Sequence, residues 1–185
     1  MEIKPKKKWY KEWWVWLLAI VIIGAIVINQ LNNKTKKEEE NKVTYENFNK
    51  VIMGSKYDDV KALLGEGKET ISAKSAGVKS IIYTWHGYGD SGMNVSVENG
   101  EVIGKMQTGL QIMDAQITLE KYEQVKEGMS YDEVKAIAGE GQLTSQRKVV
   151  DGECVEYRWV NKDGSIMTGT FTNGKLDMKD QFNLK

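Results

Sequence analysis

The chain has 185 residues, a formal net charge of zero and one cysteine; 41% of it is hydrophobic, enough apolar material for one compact body or two small ones. Nine Lys stand against five Glu in Met1 to Lys42, but 17 Lys plus Arg face 21 Asp plus Glu from Val43 onward. That mildly acidic remainder excludes the concentrated basic footprint of a nucleic-acid binder, the lone Cys154 excludes an internal disulfide, and the lone His86 excludes a His-rich metal site or a Ser-His-Asp triad.

At the N-terminus, Lys4, Lys6, Lys7, Lys8 and Lys11 precede Trp13 to Ile28, an uncharged run with ten Val, Leu and Ile. At the usual transfer values those ten favour bilayer insertion by about 3 to 6 kcal/mol. Trp9, Tyr10, Trp13, Trp14 and Trp16 supply an interfacial belt, and Ala25-Ile-Val-Ile-Asn29 offers no small-x-small cleavage site. The spacing predicts a basic cytoplasmic tail over 1–12, an uncleaved transmembrane helix over 13–31 and a solvated linker over 32–42. The charge bias that orients the span is small, because Lys34, Lys36, Lys37 and Lys42 follow it. A cell-membrane, single-pass location with the C-terminal part outside is the expectation, with lipid as one partner.

The remainder is written twice. Gly54-Ser-Lys-Tyr-Asp-Asp-Val-Lys-Ala-Leu-Leu-Gly-Glu-Gly67 returns as Gly128-Met-Ser-Tyr-Asp-Glu-Val-Lys-Ala-Ile-Ala-Gly-Glu-Gly141, 74 positions on. The same offset pairs Tyr83 with Tyr157, Trp85 with Trp159, Asn99 with Asn173 and Gln107 with Gln181. This predicts a first repeat over 43–110, a connector over 111–116 and a second repeat over 117–185. Each opens with a short helix, capped by Thr44 or Thr118 and carrying Tyr45, Phe48 and Val51 or Leu119, Tyr122 and Val125, that runs to a glycine. A second helix follows: Ser130-Tyr-Asp-Glu133 forms a capping box, whereas Lys56 occupies the cap position of the first copy, leaving Ser55 as the substitute.

After the helices the period drops to two. Ile81, Tyr83 and Trp85 alternate with Ile82, Thr84 and His86, as Val155, Tyr157 and Trp159 do with Glu156, Arg158 and Val160. Met93, Val95 and Val97 lead into Asn99-Gly100, and Met167, Gly169 and Phe171 into Asn173-Gly174, the strongest short-range hairpin signal. With strands from Lys68 to Lys74 and Gln142 to Lys148, and final strands from Glu101 and Lys175, each repeat has four.

Tempting chemical signals dissolve on inspection. Gly87-Tyr-Gly-Asp-Ser-Gly92 fits the dinucleotide pattern but joins two strands rather than a strand and a helix. Cys154 sits outside the apolar register and lacks a paired His. Asp58-Asp59 and Asp132-Glu133 serve helix dipoles. No enzyme and no cofactor are implied.

The Gly-x-x-Tyr-Asp-Asp/Glu-Val-Lys-x-x-x-Gly helix, followed by the strand meander, resembles the repeat of beta-lactamase inhibitory proteins and of small outer-membrane assembly lipoproteins. It is closest to membrane-anchored Gram-positive proteins with two such repeats behind a Lys/Trp-rich anchor. The fold expected is α+β: an N-terminal transmembrane helix, then two tandem repeats, each two short helices on a four-stranded antiparallel sheet. The resemblance implies a tandem sheet whose face away from the helices grips an envelope or secreted protein, as inhibitor or scaffold; the alternative is a structural or sensory ectodomain acting by self-association or through its membrane helix. Strict alternation sends Thr84, His86, Asn94, Ser96, Lys105, Gln107, Arg158, Thr168, Thr170, Lys179 and Gln181 to that face, with Tyr88 and Asp90 on an adjoining hairpin.

Overall fold

Thr44 and Thr118 open the two halves in the same way, each accepting a hydrogen bond on its hydroxyl from the backbone N–H three residues on, at 3.2 Å. The computed structural model describes residues 42–75, 77–111 and 114–185. The helices are α1 (Tyr45–Lys50), α2 (Tyr57–Leu64), α3 (Leu119–Gln124) and α4 (Tyr131–Ala138). The strands are β1 (Lys68–Ser75), β2 (Val78–His86), β3 (Gly92–Glu98) and β4 (Glu101–Thr108), then β5 (Gln142–Val149), β6 (Gly152–Val160), β7 (Ile166–Thr172) and β8 (Lys175–Phe182).

The eight strands form one antiparallel meander in chain order. This corrects the expected architecture: the two four-stranded sheets are one sheet, joined where Gly104, Lys105 and Met106 of β4 pair with Arg147, Gln146 and Ser145 of β5. Pairing the last strand of one half with the first of the next covers two exposed edges, and side chains reinforce the join. Gln107 Nε2 donates to the Leu143 carbonyl at 3.0 Å, the Leu143 N–H donates to the Tyr45 hydroxyl at 2.8 Å, and Gln142 Nε2 donates to the Gln111 carbonyl at 2.8 Å. Among the described residues no helix is long and apolar enough to cross a membrane. The tail over 1–12, the span over 13–31 and the linker to Asn41 lie outside the described residues.

The helices lie on one face of the sheet. Phe48, Val51, Val60 and Leu64 pack with Trp85, Met93, Val95 and Val102 in one core cluster, and Val125, Val134 and Ala138 with Trp159, Met167, Phe171 and Leu176 in the other. Trp85 Nε1 donates to the Gly65 carbonyl at 3.1 Å and Trp159 Nε1 to that of Gly139 at 2.9 Å, so each indole is both filler and clamp. The Trp159 ring lies so close to Gly141 that a Cβ there would meet it at 2.7 Å. The segments between paired helices run beside β4 and β8: the Gly54 N–H donates to the Val102 carbonyl at 2.8 Å and the Gly128 N–H to that of Leu176 at 2.7 Å. The short helices therefore end at Lys50 and Gln124, before the glycines that the sequence pattern offers as stops.

The Asn-Gly turns form as expected, with positive φ at Asn99, Gly100, Asn173 and Gly174. What alternation does not foresee is two bulges in each half: one between Glu69 and Ile71 of β1, matched between Leu143 and Ser145 of β5, and one in β4, matched in β8. Ser96 pairs with Gly104 but Val97 with Val102, and Thr170 pairs with Met178 but Phe171 with Leu176. One extra residue in β4 and in β8 reverses which face the following side chains take.

Candidate functional site

The sheet face opposite the helices is the candidate site, and the bulges decide its membership. Thr84 and Asn94 stand opposite each other there, the Thr84 hydroxyl donating to Asn94 Oδ1 at 2.6 Å. Ser96, Thr168 and Thr170 are half-buried on the same face, and His86 and Arg158 are exposed. Tyr88 is 87% exposed at the β2–β3 hairpin, with exposed Asp90 beside it. That loop is closed by the Gly87 N–H donating to the Ser91 carbonyl at 2.9 Å, so the glycine-rich stretch is a hairpin connection.

Lys105, Gln107, Lys179 and Gln181 are not on this face. Lys105 pairs with Val95 and Gln107 with Met93, both core residues, so the bulge in β4 turns them toward the helices. Lys105 is buried; its Nζ donates to the carbonyls of Val51 at 2.8 Å, Phe48 at 3.1 Å and Asn49 at 3.5 Å. It thereby places a positive charge on the carbonyls at the C-terminal end of α1, of which Phe48's also accepts the Val51 N–H at 3.3 Å. The ammonium also sits 4.9 Å from the Phe48 ring centre. Burial pushes the Lys105 pKa down to about 8, with Glu153 opposing. Lys179 does the same for α3, donating to the Tyr122 carbonyl at 2.6 Å and lying 3.9 Å from the Tyr122 ring centre. Gln107 and Gln181 each accept the N–H of a leucine three residues on, Leu110 at 3.2 Å and Leu184 at 3.1 Å. These four matching residues are fold-forming.

In their place the bulges bring Met106 and Met178, 49% and 60% exposed, to the open face. They border a groove of about 430 Å³ lined also by Ile82, Arg147, Cys154 and Glu156. Ile82 on β2 and Met178 on β8 are six strand spacings apart, roughly 29 Å in a flat sheet. Both line this one groove, so the sheet curves around it. At its floor the Arg147 guanidinium lies 3.7 Å from Cys154 Sγ, while Glu156 accepts from the Thr144 hydroxyl at 2.8 Å and from Arg158 Nε at 3.3 Å. The result is a mixed floor: soft apolar side chains, one guanidinium with spare donors and a carboxylate held by two partners. Sequence reasoning missed Met106, Ser145, Arg147 and Met178. For Met178, and through the repeat for Met106, the signal that could have found them is Asp180, which strict alternation along 176/178/180 sends into the core; Ser145 and Arg147 follow a separate bulge in β5.

A curved sheet backed by helices, with a groove of Met, Arg and hydroxyl side chains, has the composition of a protein-contact surface, in which Met and Arg are enriched. Residues 44–159, from the cap of α1 through β6, match the family model described as Beta-lactamase inhibitor (BLIP), and the chain belongs to this family. Among solved structures fourteen chains match. One is a candidate beta-lactamase inhibitor protein from Streptococcus mutans, 22% identical, with a TM-score of 0.62 over 84% of this chain and 98% of that one; it shows the same fold. No curated protein matches the chain.

Proposed function

We propose that the chain is a non-catalytic protein-binding module of the inhibitor type, which takes a segment of an envelope or secreted protein into the groove between Met106 and Met178. The observation that carries this reading is the pair of half-exposed methionines, set on the open face by two bulges around Arg147. Met106 and Met178 are already about half buried, so burying the remainder of each against a partner contributes on the order of 1 kcal/mol, about half the value for a fully exposed side chain. Thr84, Asn94, Ser96, Thr168 and Thr170 form the hydroxyl- and amide-bearing surround, with His86, Tyr88, Asp90 and Arg158 at its exposed rim. The family makes a beta-lactamase the first partner to test. The Lys-flanked, uncharged run from Trp13 to Ile28 supports placing the module at a membrane, with lipid as its second contact and the sheet outside the cell.

Photocrosslinking in cells tests this. A benzophenone amino acid at Met106 is expected to give one protein adduct that Arg147→Glu removes, and the same probe at Ile52, exposed on the chain after α1, to give none. Adducts from Ile52 alone would place the contact on the helices. If purified beta-lactamases are neither bound nor inhibited, the inhibitory role is lost while the contact surface stands on the crosslink.

A further inference from the structure

A second cavity lies on the other side of the sheet, where α1 of the first half leans over the start of the second. Its volume is about 510 Å³, within the range of small-molecule sites. The residues that give it character are Tyr45 and Asn49 from α1, Gln111 from the connecting segment, Tyr131, Glu140 and Tyr157. Tyr131 and Tyr157 stack at 3.9 Å, and the Tyr131 hydroxyl is held by both the N–H and the carbonyl of Gly141 at 3.2 and 3.3 Å, so one wall is rigid and apolar.

The polar groups around that wall are under-used. Gln111 Oε1 is buried and has no hydrogen-bond partner among the described residues. Such groups are rare in folded proteins and call for an explanation. The Tyr45 hydroxyl accepts from the Leu143 N–H and keeps its own proton to donate. Glu140 is tied to Lys135 at 2.8 Å on one oxygen, leaving the other as an acceptor.

The chain contains its own control. Tyr57 and Tyr83 stack at 3.8 Å in the first half just as Tyr131 and Tyr157 do in the second, so the stacked pair belongs to the fold. The residues peculiar to the junction do not recur: Leu119, Glu123 and Lys185 stand 74 positions after Tyr45, Asn49 and Gln111. The amides and the third phenol occur only where the cleft exists.

We propose that this junction cleft binds a sugar ring. A pyranose has apolar C–H faces that lie against phenol walls, and hydroxyls that both donate and accept, which the free acceptor of Gln111, the donor of Tyr45, the Glu140 carboxylate and the Asn49 amide match. A purely apolar ligand would leave the Gln111 acceptor unsatisfied, and an anion would meet Glu140. The site lies across the sheet from the protein-binding groove and stands independently of it.

Saturation-transfer NMR on the full chain tests the assignment, with N,N′-diacetylchitobiose and cellobiose as probes at up to about 10 mM. Transfer to ring protons of at least one disaccharide is expected; preference for the first would mark recognition of the acetamido group, and equality recognition of the ring and hydroxyls alone. Gln111→Leu should weaken binding at least about tenfold, because it removes a buried acceptor. Asn49→Lys, at an exposed position, should weaken it with no change in melting temperature, and Arg147→Glu should leave it intact. No transfer to either sugar, or transfer equal in wild type, Gln111→Leu and Asn49→Lys, would overturn the proposal.

Discussion

Lys105 carries the sharpest residue-level consequence, because it is a charge held inside the fold by carbonyl oxygens. Its pKa of about 8 lies below the ordinary 10.5, so between those values the unfolded chain binds more protons than the folded one. Stability therefore rises with pH across that window, while below pH 8 both states are charged and the full cost of burial is present. Lys179, lowered mainly by burial and then by Lys126, acts with the same sign. The tyrosines at 57, 83, 131 and 157 are raised above 10 by burial, so they oppose this trend only from pH 10 upward. Urea midpoints from pH 7 to 10 should increase, by at most about 3 kcal/mol for Lys105, and Lys105→Met should flatten the curve. Lys105→Glu would set a carboxylate against three carbonyls and cost about 3 to 5 kcal/mol, visible as a large loss of thermal stability. At Gly141 the added methyl of Gly141→Ala meets Trp159 at 2.7 Å and should cost about 1 to 3 kcal/mol by the same measurement.

At the scale of elements the two second helices differ in their caps. Ser130 and Glu133 form a reciprocal box, Glu133 accepting from the Ser130 N–H at 2.7 Å. In α2 only half of it exists: Asp59 accepts from the Lys56 N–H at 3.2 Å, and an ammonium has no lone pair to return the bond. Ser55 does not substitute, since its hydroxyl donates to the Ile52 carbonyl at 2.7 Å. Ser130→Ala is expected to cost about 1 kcal/mol, and Ser55→Ala no more than about 0.5 kcal/mol, compared as urea midpoints. The Thr44, Thr118 and Ser130 caps and the Asn-Gly turns were legible in the sequence because each is written within a few consecutive residues; the tryptophan clamps, which join residues 20 positions apart, were not. The faces of β4 and β8 were not. Alternation assumes that every residue advances the pleat, and the bulges before Gly104 and Met178 break that rule without a glycine or asparagine at the bulge itself. Lys105 and Gln107, recurring as Lys179 and Gln181, looked like a shared contact surface because a residue kept for capping a helix and one kept for a partner look alike in sequence.

For the molecule as a whole, the union of β4 with β5 was illegible for a different reason: it pairs segments from different halves, and no local pattern names the partner of an edge strand. Its three pairs, supported by Gln107, Tyr45 and Gln142, couple the two core clusters. Native-state amide exchange is expected to give β2 and β6 the same opening free energy, as one cooperative unit does; two distinct values would mean that the halves open separately. The groove straddles the same union, so fold and proposed function meet at Met106, which pairs with Ser145 across the β4–β5 seam and is half exposed. The most direct measurement is the affinity of the crosslinked partner, by interferometry, for the wild type and for the triple variant Met106→Asp, Met178→Asp, Arg147→Glu. The account predicts a dissociation constant raised at least about a hundredfold, the loss of two or more central contacts, with little change in melting temperature. An unchanged dissociation constant would contradict it.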